Sequence, residues 1–192
     1  MSRLNPKARI MTLSFRAIAL TTLLAFPAFA QDNPMVGGAP MFADKTIVEN
    51  AVNSKDHTTL VAAVQAAGLV ETLQSAGPFT VFAPVNDAFV ALPAGTVDTL
   101  LKPENKDMLV KVLTAHVVAG KLSGADIIAR AKASADGFYH MQTVSGDALS
   151  AQVKGKNLYL IDESGNASKV TIADVNQSNG VIHVVNAVLV PK

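Results

Sequence analysis

The sequence predicts an α+β domain, on three observations. Helix-spaced apolar residues dominate the first half of the chain. Short β-branched runs separated by turn residues dominate the second. One buried strand near residue 80 joins them. The composition allows a packed core: of 192 residues, 49% are hydrophobic and 16% charged. Aromatics make up only 5%, tryptophan and cysteine are absent, and the core must be built from Val, Leu, Ile and Ala. Without cysteine there is no disulfide, thiolate metal site or thiol nucleophile.

The chain opens as an address. Arg3, Lys7, Arg9 and Arg16 precede the apolar run Ala17–Phe26, and Pro27-Ala28-Phe29-Ala30 ends it. A basic region, a short apolar region and an Ala-x-Ala site predict a cleaved signal peptide over residues 1–30 and a secreted or periplasmic product. The apolar run falls short of the ~20 residues that span a bilayer. Without those four basic residues the rest carries 12 basic against 15 acidic residues, about −3. A slightly acidic domain without a basic stripe argues against nucleic acid as a partner.

Residues 31–43 are rich in Pro and Gly and are expected to form an arm or linker, with Met35, Val36 or Met41 touching the domain, which begins near Asp44. Asp56 is placed to cap a helix over His57–Ala67, with Leu60, Val61 and Val64 on one face and Gly68 at its end. Pro78–Pro84 reads as a buried strand. Asn86 and Asp87 are expected to cap a short helix carrying Ala88, Phe89 and Leu92, and Thr96 another. Pro103 suits a first helical turn, followed by Leu109, Val112, Leu113 and His116 at helical spacing. Ser123 caps the last helix. Strands are expected over Met141–Val144, Leu149–Val153, Leu158–Asp162, Lys169–Ile172 and Val181–Val190, separated by turn chemistry at hairpin spacing.

Two segments stand out together: Thr80-Val81-Phe82-Ala83-Pro84-Val85-Asn86-Asp87-Ala88-Phe89 and Asn179-Gly180-Val181-Ile182-His183-Val184-Val185-Asn186-Ala187-Val188-Leu189-Val190-Pro191. They resemble the two signature motifs of the fasciclin domain. His116–Leu122 is similar to the family's central Tyr-His segment, and the resemblance covers residues 44–191. It implies a compact wedge of β-strands, a β-sandwich, flanked by α-helices, with the two motifs paired near its centre. Thr80, Phe82, Pro84, Asn86, Asp87, Phe89, Gly180, His183 and Asn186 are the fold-motif residues. The chain departs from the family pattern at Ala115, where Tyr is usual, at Ala119, where Pro is common, and at Asn186, where Asp is common.

The resemblance also implies a function. Some animal fasciclin proteins are associated with integrin binding through an Asp-Ile pair before the second motif and through the Tyr-His pair. The matching positions here are Asp174-Val175 and His116, the candidate adhesion face. The implied role is a binding module in cell adhesion or in surface, matrix or biofilm association. Its partner would be a cell-surface or matrix protein or polysaccharide, and a weak homo-oligomer would supply avidity. A small-ligand or lipid-binding protein is the alternative, suggested by the apolar composition. Catalysis is not expected: there is no Gly-x-Ser-x-Gly elbow, phosphate loop or His-Glu-x-x-His. A hydrolase would need a serine, a histidine and a carboxylate converging in a pocket. His57, His116, His140 and His183 lack metal-ligand spacing, so neither metal nor cofactor is expected. His116 and His183 are expected in the core, His57 and His140 exposed, and Asp162 and Glu163 solvated at a turn.

Overall fold

The computed structural model describes residues 33–192; the expected signal peptide lies outside them. The chain runs β1 (Met35–Val36), β2 (Ala39–Pro40), α1 (Ile47–Ala51), α2 (Thr58–Ala67), α3 (Val70–Gln74), β3 (Phe79–Pro84), α4 (Asn86–Val90), α5 (Thr96–Leu100), α6 (Lys106–Thr114), β4 (Val117–Ala119), α7 (Gly124–Ala133), β5 (Phe138–Gln142), β6 (Ala148–Lys154), β7 (Asn157–Ile161), β8 (Ala167–Gln177) and β9 (Gly180–Val185). Seven strands form one sheet in the order β4-β3-β9-β8-β7-β6-β5. Val144 N–H donates to the Val117 carbonyl at 2.8 Å, tying the segment after β5 to β4 and drawing the sheet's ends together into a near-barrel.

The two signature segments pair at its centre. β3 and β9 run parallel, in register from Phe79 opposite Gly180 to Pro84 opposite Val185. Every residue of β9 is buried, as a strand covered on both faces requires. The pleat sends alternate residues of this pair into two cores. Val81, Ala83, Ile182 and Val184 join a core shared with α1, α2 and α6. Phe82 and Val185 join a second core with Ile127 of α7 and Met141, Leu149 and Leu160 of the opposing strands. Gly180 permits the pairing, because a Cβ there would be driven into the Phe79 carbonyl.

The residues of the arm do more than touch the surface. β1 and β2 form a hairpin through Gly37 (φ 58°) and Gly38 (φ 77°), and Val36 and Met41 are buried in the first core while Met35 stays exposed. Gly37 is required by space as well as by φ: a Cβ would meet Lys55 N at 2.8 Å.

Capping differs from the local expectation in three places. Asp56 lies in a 3-10 turn over Lys55–His57, and α2 starts at Thr58. The acceptor at that start is Asn86, whose Oδ1 takes the Thr59 N–H at 3.0 Å and the Thr58 hydroxyl at 3.2 Å, while its Nδ2 donates to the Lys55 carbonyl at 2.8 Å. Asn86 thus caps an upstream helix. Its own helix is preceded by Val85 and has no side-chain cap. Likewise α5 follows Gly95 in the left-handed region (φ 82°), with Thr96 as its first residue. Ser123 behaves as its sequence suggests, forming a capping box with Asp126. β5 begins earlier than expected, at Phe138. β8 runs on to Gln177 through two register shifts, and β9 ends at Val185, with Val188 and Leu189 buried beyond it.

Candidate functional site

The register shifts in β8 set the geometry around Asp174. They free it from the ladder and place it at φ 61°, the left-handed region that Asp tolerates better than most residues. Asp174 Oδ1 accepts the Gly124 N–H at 2.7 Å, placing a carboxylate at the first residue of α7, where the helix dipole favours it. Asp174 N–H donates to His183 Nδ1 at 3.3 Å. That bond fixes the imidazole as the Nε2–H tautomer, and Nε2 donates to the Leu122 carbonyl at 2.9 Å. His183 also stacks on Phe82, centroids 5.6 Å apart. Burial lowers its pKa, against the opposing pull of the Leu122 carbonyl and Asp174. Thr80 holds the same loop, donating to the Gly120 carbonyl at 2.7 Å and accepting from Leu122 N–H at 2.9 Å.

Outside this network lies an open groove of about 510 Å³, with Ile128 of α7 on one wall and Lys156, Asn157, Lys169, Thr171 and Asp174 among its other lining residues. It offers two cations, one anion and an aliphatic wall to a partner.

The three residues of the expected adhesion face do not share a surface. Asp174 is exposed, but Val175 is fully buried and His116 is 2% exposed. Val175 follows the bulge and points into the first core. His116 donates through Nδ1 to the Val112 carbonyl at 2.8 Å and accepts Leu189 N–H on Nε2 at 2.9 Å. Desolvation lowers its pKa to about 4. Both are out of a partner's reach.

The family model for the fasciclin domain matches residues 55–191. The chain belongs to the fasciclin domain family. Among its relatives, it is 44% identical to Protein sll1483 of Synechocystis over 192 aligned positions, covering 94% of this chain and 99% of that one. It is 31% identical to the cell surface glycolipoprotein MPB83 of Mycobacterium bovis, over 85% of this chain and 69% of that protein. A solved FAS1 domain pair from the insect cell adhesion molecule Fasciclin I shares the fold, with a TM-score of 0.67 at 17% identity, covering 76% of this chain and 50% of that one.

Within this fasciclin domain the motif residues are mostly structural. Thr80, Phe82, Pro84, Phe89, Gly180 and His183 are buried, while Asp87 is exposed in the first turn of α4. Asn186 Oδ1 accepts Lys169 N–H at 2.8 Å, so the neutral amide pins the start of β8. Two expectations of exposure are corrected. His57 is 3% exposed, because the 3-10 turn folds it inward, and its Nδ1 meets the Ser54 hydroxyl at 2.8 Å. Asp162 is 8% exposed because it closes its own turn, accepting from Ser164 N–H, Asn166 N–H, Asn166 Nδ2 and Val190 N–H. Glu163 remains exposed and accepts Ala148 N–H.

Sequence reasoning assigned no role to the Asn179 side chain, which is 5% exposed. Its Oδ1 accepts Ile47 N–H at 3.0 Å and its Nδ2 donates to the carbonyls of Leu73, at 2.7 Å, and Ser75, at 3.0 Å. One amide therefore joins the β8–β9 turn to α1 and α3. A serine, a histidine and a carboxylate do converge: His140 Nδ1 lies 2.9 Å from Ser150 Oγ, and Nε2 lies 2.8 Å from Asp136 Oδ2. They stand on an open sheet face, with the His140 and Asp136 side chains 63% and 52% exposed. Ser150 pairs with His140 on one side and Ile161 on the other, which spends the surrounding amides on the ladder. Hydrogen bonds from Ser134, His140 and the Phe138 N–H hold Asp136 well below the usual carboxylate range.

Proposed function

We propose that this chain is an exported fasciclin-domain binding module acting in cell adhesion or in surface, matrix or biofilm association. Its partner would be a cell-surface or matrix protein or polysaccharide, engaged through the groove beside Asp174. The observation that carries the reading is an open groove lined by Asp174, Lys156 and Lys169 in a domain whose relatives include a cell surface glycolipoprotein. Complementary charges on a partner would set register and on-rate. The basic and apolar regions of residues 1–30 support export. In this reading the Ser150–His140–Asp136 cluster is structural: water screens it, and no pair of free amides faces Ser150 to hold an oxyanion. A single groove gives weak holding, so a weak homo-oligomer would supply the avidity that adhesion needs.

The test is crosslinking of the purified protein to cells and matrix of its source organism, followed by identification of what is captured. Asp174→Asn is the informative variant. Asparagine tolerates φ 61° and still accepts from Gly124 N–H, so the fold is kept and only the charge is lost. Capture by the native protein that is weakened by Asp174→Asn and by Lys156→Glu supports the groove. Capture indifferent to both moves the site elsewhere, and absence of any specific capture defeats the adhesion reading.

A further inference from the structure

The groove beside Asp174 carries cations that the domain itself leaves unused. The ion pairs among the described residues are Lys111–Asp147 and His140–Asp136, so neither Lys156 nor Lys169 is committed to a carboxylate. Lys154 adds a third charge at the margin. Its ammonium lies 5.8 Å from the centre of the Tyr159 ring, and Tyr159 stands opposite Lys169 across β7 and β8. The chain beyond residue 30 is slightly acidic, so these lysines are a local concentration of positive charge. Charge complementarity calls for an anionic partner.

The other residues decide which anion. Asp174 has Oδ1 engaged by Gly124 N–H, and no described residue donates to Oδ2. Asn157 adds an amide to the lining and Ile128 an aliphatic surface. A carboxylate in a groove that attracts anions is unfavourable for a ligand made of carboxylates alone. It suits a ligand that alternates carboxylates with hydroxyl groups, because a hydroxyl donating to a carboxylate makes a charge-assisted hydrogen bond. A pyranose ring also brings apolar C–H surface for Ile128 and Tyr159. The groove's volume of about 510 Å³ lies within the roughly 300–1,000 Å³ of small-ligand sites, room for a short run of rings.

We propose that the groove binds an acidic polysaccharide, a chain of pyranose rings bearing carboxylates. Its carboxylates sit on Lys156 and Lys169, and a ring hydroxyl donates to Asp174 Oδ2. This names the class of partner within the adhesion reading and rests on that reading's choice of the groove.

A galacturonic acid oligomer, its methyl ester and polyglutamate are titrated calorimetrically into the protein. The ester keeps the rings and loses the charge; polyglutamate keeps the charge and has no hydroxyls. The oligomer should saturate and bind more tightly than either. Lys156→Gln and Lys169→Gln should each weaken it roughly two- to fivefold, the worth of an exposed charge pair, and leave the ester unchanged. Asp174→Asn puts an amide donor in place of Oδ2, which removes the acceptor for a hydroxyl and also a repulsion for any polyanion. The ratio of oligomer to polyglutamate affinity should therefore fall about tenfold in this variant, the worth of a hydrogen bond to a charged group. Failure of the oligomer to saturate, equal binding of the ester, or a ratio unmoved by Asp174→Asn would each overturn the proposal. If the oligomer does not bind while capture from cells still depends on Asp174, the groove stands and the polysaccharide falls. If the oligomer binds as expected while capture is indifferent to Asp174, the polysaccharide site stands and adhesion lies elsewhere.

Discussion

Asn179→Ala offers the sharpest test of how this fold is held together. The side chain makes three hydrogen bonds at 2.7–3.0 Å, to Ile47 N–H and to the carbonyls of Leu73 and Ser75. Alanine removes them all and orphans three backbone groups in a site too buried for easy access by water. At roughly 0.5–1.5 kcal/mol per bond, with a further penalty for each group left unsatisfied, the loss is about 4 kcal/mol. That is a large share of the 5–15 kcal/mol typical of a domain. In urea, with a slope near 2 kcal/mol/M, the midpoint should fall by about 2 M at unchanged slope. Asn179→Asp sharpens the reasoning. It keeps the acceptor for Ile47 N–H but turns a carboxylate oxygen onto two carbonyls, so at pH 7 it should be at least as damaging as alanine. A loss under 1 kcal/mol for alanine, or a well-tolerated aspartate, would refute the assignment of this amide as the link between the β8–β9 turn and helices α1 and α3.

Asn86→Ala should destabilise by about 2 kcal/mol through loss of the α2 cap, and amide exchange should accelerate at Thr59 and Leu60 before the rest of the domain. The histidines predict acid sensitivity. His116 titrates at about 4 in the fold against 6.5 ordinarily, and burial lowers His57 and His183 too. The unfolded chain therefore binds more protons between these values. Stability is full above pH 6.5 and falls by roughly 3 kcal/mol from His116 alone on approach to pH 4, which urea midpoints across that range would measure. A His116 ring resonance titrating near 6.5 in the folded protein would contradict it. Deleting residues 31–43 should cost about 3–5 kcal/mol, from exposing the sites of Val36 and Met41, and should be read as a lowered melting temperature.

The strands of the central architecture are legible in local chemistry, and their pairing follows from the resemblance of the two signature segments. Phe79–Pro84 and Gly180–Val185 are apolar runs bounded by Pro, Gly and Asn, and the β5–β8 meander follows its turn residues. What escaped is what depends on partners distant in sequence. Local capping rules look a few residues ahead and make Asn86 a cap for the helix it begins, whereas its acceptor serves a donor 27 residues upstream. His57 is expected to be exposed and Asp162 solvated at its turn, yet the 3-10 turn buries one and four donors the other. Only the resemblance groups Val175 and His116 with Asp174. A register shift in β8 separates a side chain facing water from its neighbour facing the core, and no pattern of residue types announces it. α1 and α3, five residues each, are too short to carry a periodic signal.

The parallel pairing of β3 with β9 also dictates when the domain can form. Phe79–Pro84 leaves the ribosome long before its partner Gly180–Val185 exists. Until then its apolar flank can be covered only by β4 and the helices, and one side of the strand stays open. Closing so large a loop is entropically slow and gives the chain high contact order. A nascent chain of this kind stays unlocked until nearly all of it has been made. Any truncation before residue 180 leaves an exposed, β-branched edge with the character of an aggregation site.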